Sequence, residues 1–321
     1  MTDTRLEGLK AFVSRYLGHS CRRFEALGGD ASLRRYFRTD GFIAVDSPPS
    51  SQKNAEFLRI DQALSLKGVR VPEILSSDLE NGYLLEEDLG NLMFSDVIKG
   101  GQRSQWYQRA LQLLPDIASA ETPLPAFDKD FIAFEFSIFT EWLLDKSLHL
   151  VLNKAEKQML NHTLSVLSQA CLSQPQVAMH RDFHSRNLMV CGEELVVIDF
   201  QDMVKGPLTY DAASLIFDCY VRLPDDLVVF LIQKAYENLQ PLCKGYSQSE
   251  FKRLLLLVSL QRHLKVLGIF NRLNLRDGKT GYLKDLPRVL AYALDESTAC
   301  GLYDLHDFLD TKVKGAMPCV R

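Results

Sequence analysis

His180-Arg181-Asp182-Phe183-His184-Ser185-Arg186-Asn187, followed by the apolar run 195–198 and by Asp199-Phe200, is the stretch on which the fold turns. It is the densest polar cluster in the chain. Asp182 is suited to position a hydroxyl group and accept its proton. Asn187, five residues on, and Asp199, at the end of the next strand, offer the hard oxygen ligands that Mg²⁺ takes beside nucleotide phosphates. A polar loop that merely caps neighbouring backbone accounts for any one of these residues, since Asp and Asn often do so. It does not account for their joint spacing. His180 and His184 stand four apart, as two zinc ligands can, but no HExxH glutamate accompanies them and the segment reads as a loop.

The flanking residues give this loop its context. Residues 177–179, 188–191 and 195–198 read as short strands, so the loop joins a strand to a hairpin. From residue 104 onward the remainder reads as helical, most clearly over 104–120, 130–144, 155–173, 226–239 and 249–270. Toward the N-terminus the pattern changes. Leu6, Leu9, Val13 and Leu17 recur at helical spacing. Residues 22–27, 34–39 and 42–46 read as strands, the last two joined by Asp40-Gly41, a pair that tolerates the positive φ of a hairpin turn. Pro48-Pro49 stops that hairpin, 53–66 reads as a helix and 83–86 as a further strand. The predicted fold class is α+β, with a small β-rich N-terminal lobe and a larger helical C-terminal lobe. The boundary falls near 86–92, which gives one part over 1–88 and another over 89–321. Such a layout leaves a cleft at the linker, where ligand sites tend to lie.

Composition sets bounds. With 46% hydrophobic and 24% charged residues in 321, the chain is ordinary globular material. The longest obvious apolar run, 254–258, is too short to span a bilayer. The N-terminus is polar and lacks a signal-peptide core, so the expectation is a cytoplasmic protein with no membrane partner. The seven cysteines are scattered and never spaced as CxxC, which argues against a disulfide framework or a structural zinc site. A net charge of −4 favours no polyanionic partner, and nucleic acid is not expected. One stretch departs from this balance: residues 252–288 carry nine Lys or Arg against two Asp. Arg262, Lys265 and Arg272 fall on roughly one helix face, which reads most simply as solvated. Aromatic residues are too sparse there for a nucleic-acid patch.

The Asp–x4–Asn loop with its following Asp-Phe pair resembles the kinase catalytic pattern. More closely, 180–187 with Ile198-Asp199-Phe200 resembles the aminoglycoside phosphotransferase and choline kinase superfamily. Further blocks extend the resemblance over most of the chain: 29–32 with 34–38, 46–49, 85–90, 200–202 with 206–211, 218–220, 260–270, 276–279 and 281–283. Together they are similar to the bacterial N-acetylmuramate/N-acetylglucosamine anomeric kinases of peptidoglycan recycling. The resemblance implies a two-lobed, protein-kinase-like fold whose N-lobe, 1–88, binds ATP with Mg²⁺ as cofactor. It also implies an amino sugar as small-molecule substrate, phosphorylated at C1, and a pathway link to a sugar-1-phosphate nucleotidyltransferase.

On that resemblance Asp182 is the catalytic residue, and Asn187 and Asp199 are the metal ligands. Gly28, Gly29, Asp30, Ala31 and Ser32 stand between two strands, where a loop covering the nucleotide belongs. Small residues there let backbone N–H groups approach phosphate. The third strand of such a lobe normally carries a phosphate-pairing lysine, and Phe42-Ile43-Ala44-Val45-Asp46 has none. Either Arg34, Arg35 or Lys53 replaces that charge, or nucleotide binding differs; Glu56 reads as the anionic partner of such a cation or as an ordinary exposed helix glutamate. Strand alternation lets at most one of Arg34 and Arg35 face the ligand. Glu86, Glu87 and Leu89 lie at the linker, where backbone groups could meet adenine and the acidic side chains are expected in solvent. Asp211 either caps the helix that it begins or braces the catalytic loop. Arg262 and Lys265 are candidates for the sugar, because a cation suits the carboxylate of N-acetylmuramate. Two rival readings stay open: an aminoglycoside, choline or homoserine kinase on the same scaffold, and a nucleotide-binding module without activity.

Overall fold

The computed structural model describes residues 3–21, 23–28 and 34–317. The chain begins with α1 (Thr4–Leu17), β1 (Glu25–Leu27), β2 (Arg35–Thr39), β3 (Phe42–Asp46), α2 (Asn54–Leu66), β4 (Ile74–Asp78), β5 (Tyr83–Glu87) and α3 (Phe94–Val97). It continues with α4 (Arg103–Gln112), α5 (Leu114–Ala118), α6 (Lys129–Ile138), α7 (Lys154–Leu172), β6 (Gln176–Met179), β7 (Leu188–Cys191), β8 (Glu194–Val197) and β9 (Val204–Pro207). Then come α8 (Tyr210–Ile216), α9 (Asp225–Leu239), α10 (Gln248–Asp277) and α11 (Leu286–Ala299), with short helical turns beyond. The architecture is α+β, strand-rich first and helical after. Two compact units emerge, one of residues 1–97, 120–122 and 186–202, the other of 98–119, 123–185 and 203–321.

In the first unit five strands form an antiparallel sheet in the order β1-β2-β3-β5-β4. Asp40 and Gly41 both adopt positive φ, 44° and 88°, and close the β2–β3 hairpin with Thr39 opposite Phe42. Ala44 and Leu85 on the sheet pack with Leu9, Phe12 and Val13 of α1, so the amphipathic opening helix has its apolar stripe covered. Asp46, fully buried at the end of β3, accepts from Arg5 Nε at 2.8 Å and from Arg35 Nε at 2.8 Å. The β7–β8 hairpin joins this unit through the Val197 amide, which donates to the Arg70 carbonyl at 2.8 Å.

In the second unit α10 is the axis. Thirty residues long, it starts with a reciprocal cap between Ser247 and Glu250 and stops at Gly278, φ +68°. By length and composition it could cross a membrane, yet 83% of its apolar window is buried inside the protein. It is a core helix, buried on nearly every side because helices surround it, and its buried surface includes Gln261, Arg262, His263 and Lys265. Gly268 sits against the end of α6: a Cβ there would lie 2.3 Å from the Ile138 carbonyl oxygen. That approach sets α6 close alongside α10. The helix then continues as a π-helical segment, Phe139–Ser147. Phe139, Leu143, Leu260, Leu264, Leu267, Val289 and Leu290 meet in the main core.

Candidate active site

The first unit places Asn187 and Asp199 together by hairpin register. β7 and β8 pair antiparallel with Leu188 opposite Val197. The next pair outward closes through the Ile198 amide, which donates to the Asn187 carbonyl at 3.1 Å. Asn187 and Asp199 therefore flank the open mouth of the hairpin, where Asn187 Nδ2 donates to Asp199 Oδ2 at 3.3 Å. Asp199 takes φ +64°, an uncommon backbone for a non-glycine residue and one found disproportionately at functional sites. Phe200 anchors the turn by stacking on Phe57 of α2, with centroids 4.9 Å apart. Gln201 Nε2 then donates to Asp199 Oδ1 at 2.7 Å.

Arg34 completes this cluster. Its guanidinium is buried, lies 4.3 Å over the Phe57 ring, donates from Nε to Ser47 Oγ at 3.0 Å and from Nη1 to Gln201 Oε1 at 3.3 Å. A single amide thus links Arg34 to Asp199. Arg35 takes the other direction, to Asp3 and the buried Asp46. Of the two arginines considered for the phosphates, the structure brings only Arg34 to Asp199. The Arg35 charge is already spent on carboxylates. Lys53 is exposed at the start of α2.

The linker differs from expectation. Glu86 is buried, not solvated, and burial pushes its carboxyl up to about 7, with Arg34 opposing and Asp61 adding to the rise. Glu86 is thus the acid beside Arg34, the role considered for Glu56. The Glu87 amide donates to the Glu73 carbonyl at 3.0 Å, and its carboxylate accepts from Arg70 Nη2 at 2.6 Å. Its backbone N–H is therefore not open to a base. Arg38 fixes the stretch around Leu89, with Nε and Nη2 on Asp88 at 2.6 and 2.9 Å and Nη2 on the Gly90 carbonyl at 2.9 Å. Gly28 falls just after β1, while Gly29, Asp30, Ala31 and Ser32 lie outside the described residues.

The second unit holds Asp182 on the loop after β6. Two buried aspartates grip that loop at its ends. Asp211, in the first turn of α8, accepts from the His180 and Arg181 amides at 2.7 and 2.9 Å, so it braces the loop. Asp218 accepts from the Ser185 amide at 2.9 Å and the Tyr220 amide at 2.7 Å. Between these clamps Arg181 takes φ +77°, and the Asp182 amide donates to His180 Nδ1 at 3.3 Å. The His180 ring is thereby engaged within the loop. Among the described residues no group of three or more His, Cys, Asp or Glu is placed to hold a metal.

Around Asp182 stand the cations Lys265, Arg181 and Arg262, with the imidazole of His184, whose own pKa burial lowers. Burial alone would raise the Asp182 carboxyl, but Lys265, His184, Arg181 and Arg262 together hold it far below the usual range. Lys265 and Arg262, taken above as sugar-binding candidates on a solvated face, are interior residues, 3% and 1% exposed. Lys265 Nζ donates to Tyr210 Oη at 3.0 Å and pairs with Glu135 at 3.4 Å. Arg262 lies over the same Tyr210 ring, 5.4 Å from its centroid. Both act on Asp182 as charges from behind the surface. Glu135, unnoticed in the sequence, gathers four donors: Lys265 Nζ, Gln261 Nε2 at 2.8 Å, and Arg181 Nη2 and Nε at 2.8 and 3.3 Å. A lone carboxylate inside the apolar run 131–139 was the available signal. Gln201 and Asp218 stood in the sequence only inside longer blocks of the resemblance, and His184 only as half of a zinc spacing; none was given the contact seen here.

The donor set suits magnesium. Asn187 and Asp199 supply one amide and one carboxylate oxygen function, and Mg²⁺ typically takes one or two carboxylates and leaves its other positions to water and phosphates. Phosphoryl transfer uses a carboxylate that positions the attacking hydroxyl and oxygen ligands that hold the metal. The chain is 37% identical over 308 residues to an N-acetylmuramate/N-acetylglucosamine kinase of Pseudomonas putida, covering 90% of this chain and 91% of that one. It is 36% identical to the Pseudomonas aeruginosa protein of that name, over 82% and 80% of the two chains. A choline/ethanolamine kinase family protein from Mesorhizobium loti has the same fold, with a TM-score of 0.67 at 14% identity over 94% of this chain and 99% of that one. The match to the phosphotransferase enzyme family runs over residues 23–246 and takes in the Asp182 loop, the Asn187–Asp199 hairpin and Arg34; the chain belongs to that family.

Proposed function

We propose that this enzyme transfers the γ-phosphoryl group of ATP to the anomeric hydroxyl of N-acetylmuramate and N-acetylglucosamine, in the cytoplasm. The observation that carries the phosphotransfer reading is the Asn187–Asp199 pair at the hairpin mouth, linked through Gln201 to Arg34. The sugar reading is supported by the relatives above. Residues 1–88 form the nucleotide-binding part, aided by Asn187 and Asp199, and 89–321 form the catalytic and substrate-binding part. A bound Mg²⁺ would neutralise charge on the nucleotide phosphates. Asp182 accepts a hydrogen bond from the C1 hydroxyl and aims its oxygen at the γ-phosphorus. The new bond joins O1 to phosphorus, the bond from phosphorus to the β,γ-bridging oxygen breaks, and ADP leaves. A carboxylate held so far below its ordinary range is a weak base. Asp182 therefore chiefly orients the hydroxyl, and takes its proton late in the transfer, once the forming O1–phosphorus bond has made that proton acidic. The product, a sugar 1-phosphate, is the substrate class of a nucleotidyltransferase.

The test is a phosphorylation assay with N-acetylmuramate, N-acetylglucosamine, choline and kanamycin, with the phosphate position read by phosphorus NMR. The two amino sugars are turned over best and carry phosphate at C1. A methyl glycoside, blocked at O1, does not react. Phosphate on another hydroxyl of the glycoside leaves a kinase but removes the anomeric assignment.

Arg34 supplies a second expected result. A charge-assisted hydrogen bond contributes about 1.5–3 kcal/mol, which is roughly 10- to 100-fold in affinity. Arg34→Ala raises KM for ATP by about that factor. Arg35→Ala, which strips Asp46 of one partner, lowers Tm and leaves KM for ATP close to normal. Unchanged ATP kinetics in both variants would shift the role to Lys53.

A further inference from the structure

Arg262 and Lys265 are enclosed, so neither can meet a sugar carboxylate directly. The cation beside Asp182 that solvent does reach is Arg181, with 22% of its side chain exposed. Its orientation is fixed on two sides. One edge, Nε with Nη2, is held by Glu135. The plane lies over the Phe131 ring, with Cζ 5.0 Å from the centroid. The remaining edge is formed by Nη1 and the second N–H of Nη2. Among the described residues Nη1 has no hydrogen-bond partner, and a guanidinium edge of this kind matches a carboxylate bidentately. Glu135 does not cancel the Arg181 charge, because Lys265 and Gln261 share that carboxylate. The arginine is therefore rigid, charged, partly exposed and next in sequence to the residue that orients the hydroxyl.

We propose that this outer edge of Arg181 receives the carboxylate of an acidic amino sugar and so sets a preference for N-acetylmuramate over N-acetylglucosamine. The proposal rests on the amino-sugar reading above. N-acetylglucosamine lacks the carboxylate, so the interaction appears in one substrate and not the other.

The experiment compares kcat/KM for both sugars in the unmodified enzyme, Arg181→Lys and Arg181→Gln. N-acetylmuramate carrying a neutral amide in place of its carboxylate is a third substrate. Losing a charge-assisted contact corresponds to at least about tenfold. In Arg181→Gln, N-acetylmuramate loses at least about tenfold more than N-acetylglucosamine, and Arg181→Lys recovers part of the difference. In the unmodified enzyme the amide has the higher KM, and in Arg181→Gln the acid and amide converge. Equal losses on both sugars overturn the proposal and leave Arg181 a brace of its loop. Equal KM values for acid and amide in the unmodified enzyme overturn it without reference to any variant. An unmodified enzyme inert toward both sugars removes the substrate reading and this inference with it.

Discussion

Asp182→Asn lowers kcat by roughly 10²- to 10⁴-fold, the range that loss of a positioned acid–base group commonly costs, and leaves nucleotide affinity within about twofold of normal. The loop should keep its shape in this variant. Its clamps are backbone bonds to Asp211 and Asp218, and Asp182 itself contributes a backbone amide and carbonyl to the loop. What changes is the charge. Lys265, Arg181, His184 and Arg262 hold the native carboxylate ionised. An amide in that place cannot take the hydroxyl proton, and it leaves buried cations facing a neutral group. Steady-state kinetics gives the first quantity and calorimetric nucleotide titration the second. Near-normal turnover would falsify the assignment. The same charge environment has a pH consequence. The folded carboxyl stays ionised down through the ordinary carboxylate range of about pH 4. Asp182 therefore adds no acid limb to the kcat profile above that pH.

Much of the fold was legible because its signals are local. Asp40-Gly41 specifies a tight hairpin whatever surrounds it. The register that unites Asn187 with Asp199 follows from two short apolar strands and the turn at Gly192, φ +63°. Elements were missed where local preference opposes the observed state. β4 carries Ser76 and Ser77 and survives as an edge strand beside β5, with an irregular register near Ile74. β9 contains Lys205, Gly206 and Pro207, a poor strand sequence, and forms because β6 pairs along one edge and residues 125–127 bond Lys205 on the other. The first unit also takes in 186–202, a hairpin far along the chain, which no boundary drawn by composition could assign.

The candidate site was drawn from its acidic and amide residues and not from its cations. Asp182, Asn187 and Asp199 stand close in sequence and carry a spacing. The charges that tune Asp182 come from residues 46 to 130 positions away from Glu135, brought together by α6 lying against α10. Helical periodicity grouped Arg262, Lys265 and Arg272 on one face, and a charged face is normally solvated. Here the interior can hold Lys265 because Glu135 and Tyr210 receive it. The burial of an ion depends on its partner, and sequence spacing does not reveal a partner on another helix. The choice between Arg34 and Arg35 has the same character. Alternation says that they part company, but only Gln201 and Asp46 decide which goes where.

Asp199→Ala weakens magnesium-dependent nucleotide binding by at least about 100-fold. Loss of an outer-shell partner alone commonly costs 10- to 100-fold in metal affinity, and Asp199 is proposed as a direct ligand. Asn187→Ala costs less, because it removes a neutral oxygen and leaves the anionic one. The substitution at Asp199 removes more than charge. Asn187 and Gln201 both donate to this carboxylate, so its loss leaves two amide groups without their acceptor and frees the link to Arg34. The backbone is affected too, because aspartate tolerates φ +64° better than alanine does, so Tm is measured alongside binding. Titration calorimetry with ATP, run with and without magnesium, separates the two roles. In the unmodified protein magnesium tightens ATP binding, and in Asp199→Ala that gain is lost while metal-free binding persists. An undiminished gain from magnesium in Asp199→Ala places the cation elsewhere, and the hairpin mouth is then a structural contact only.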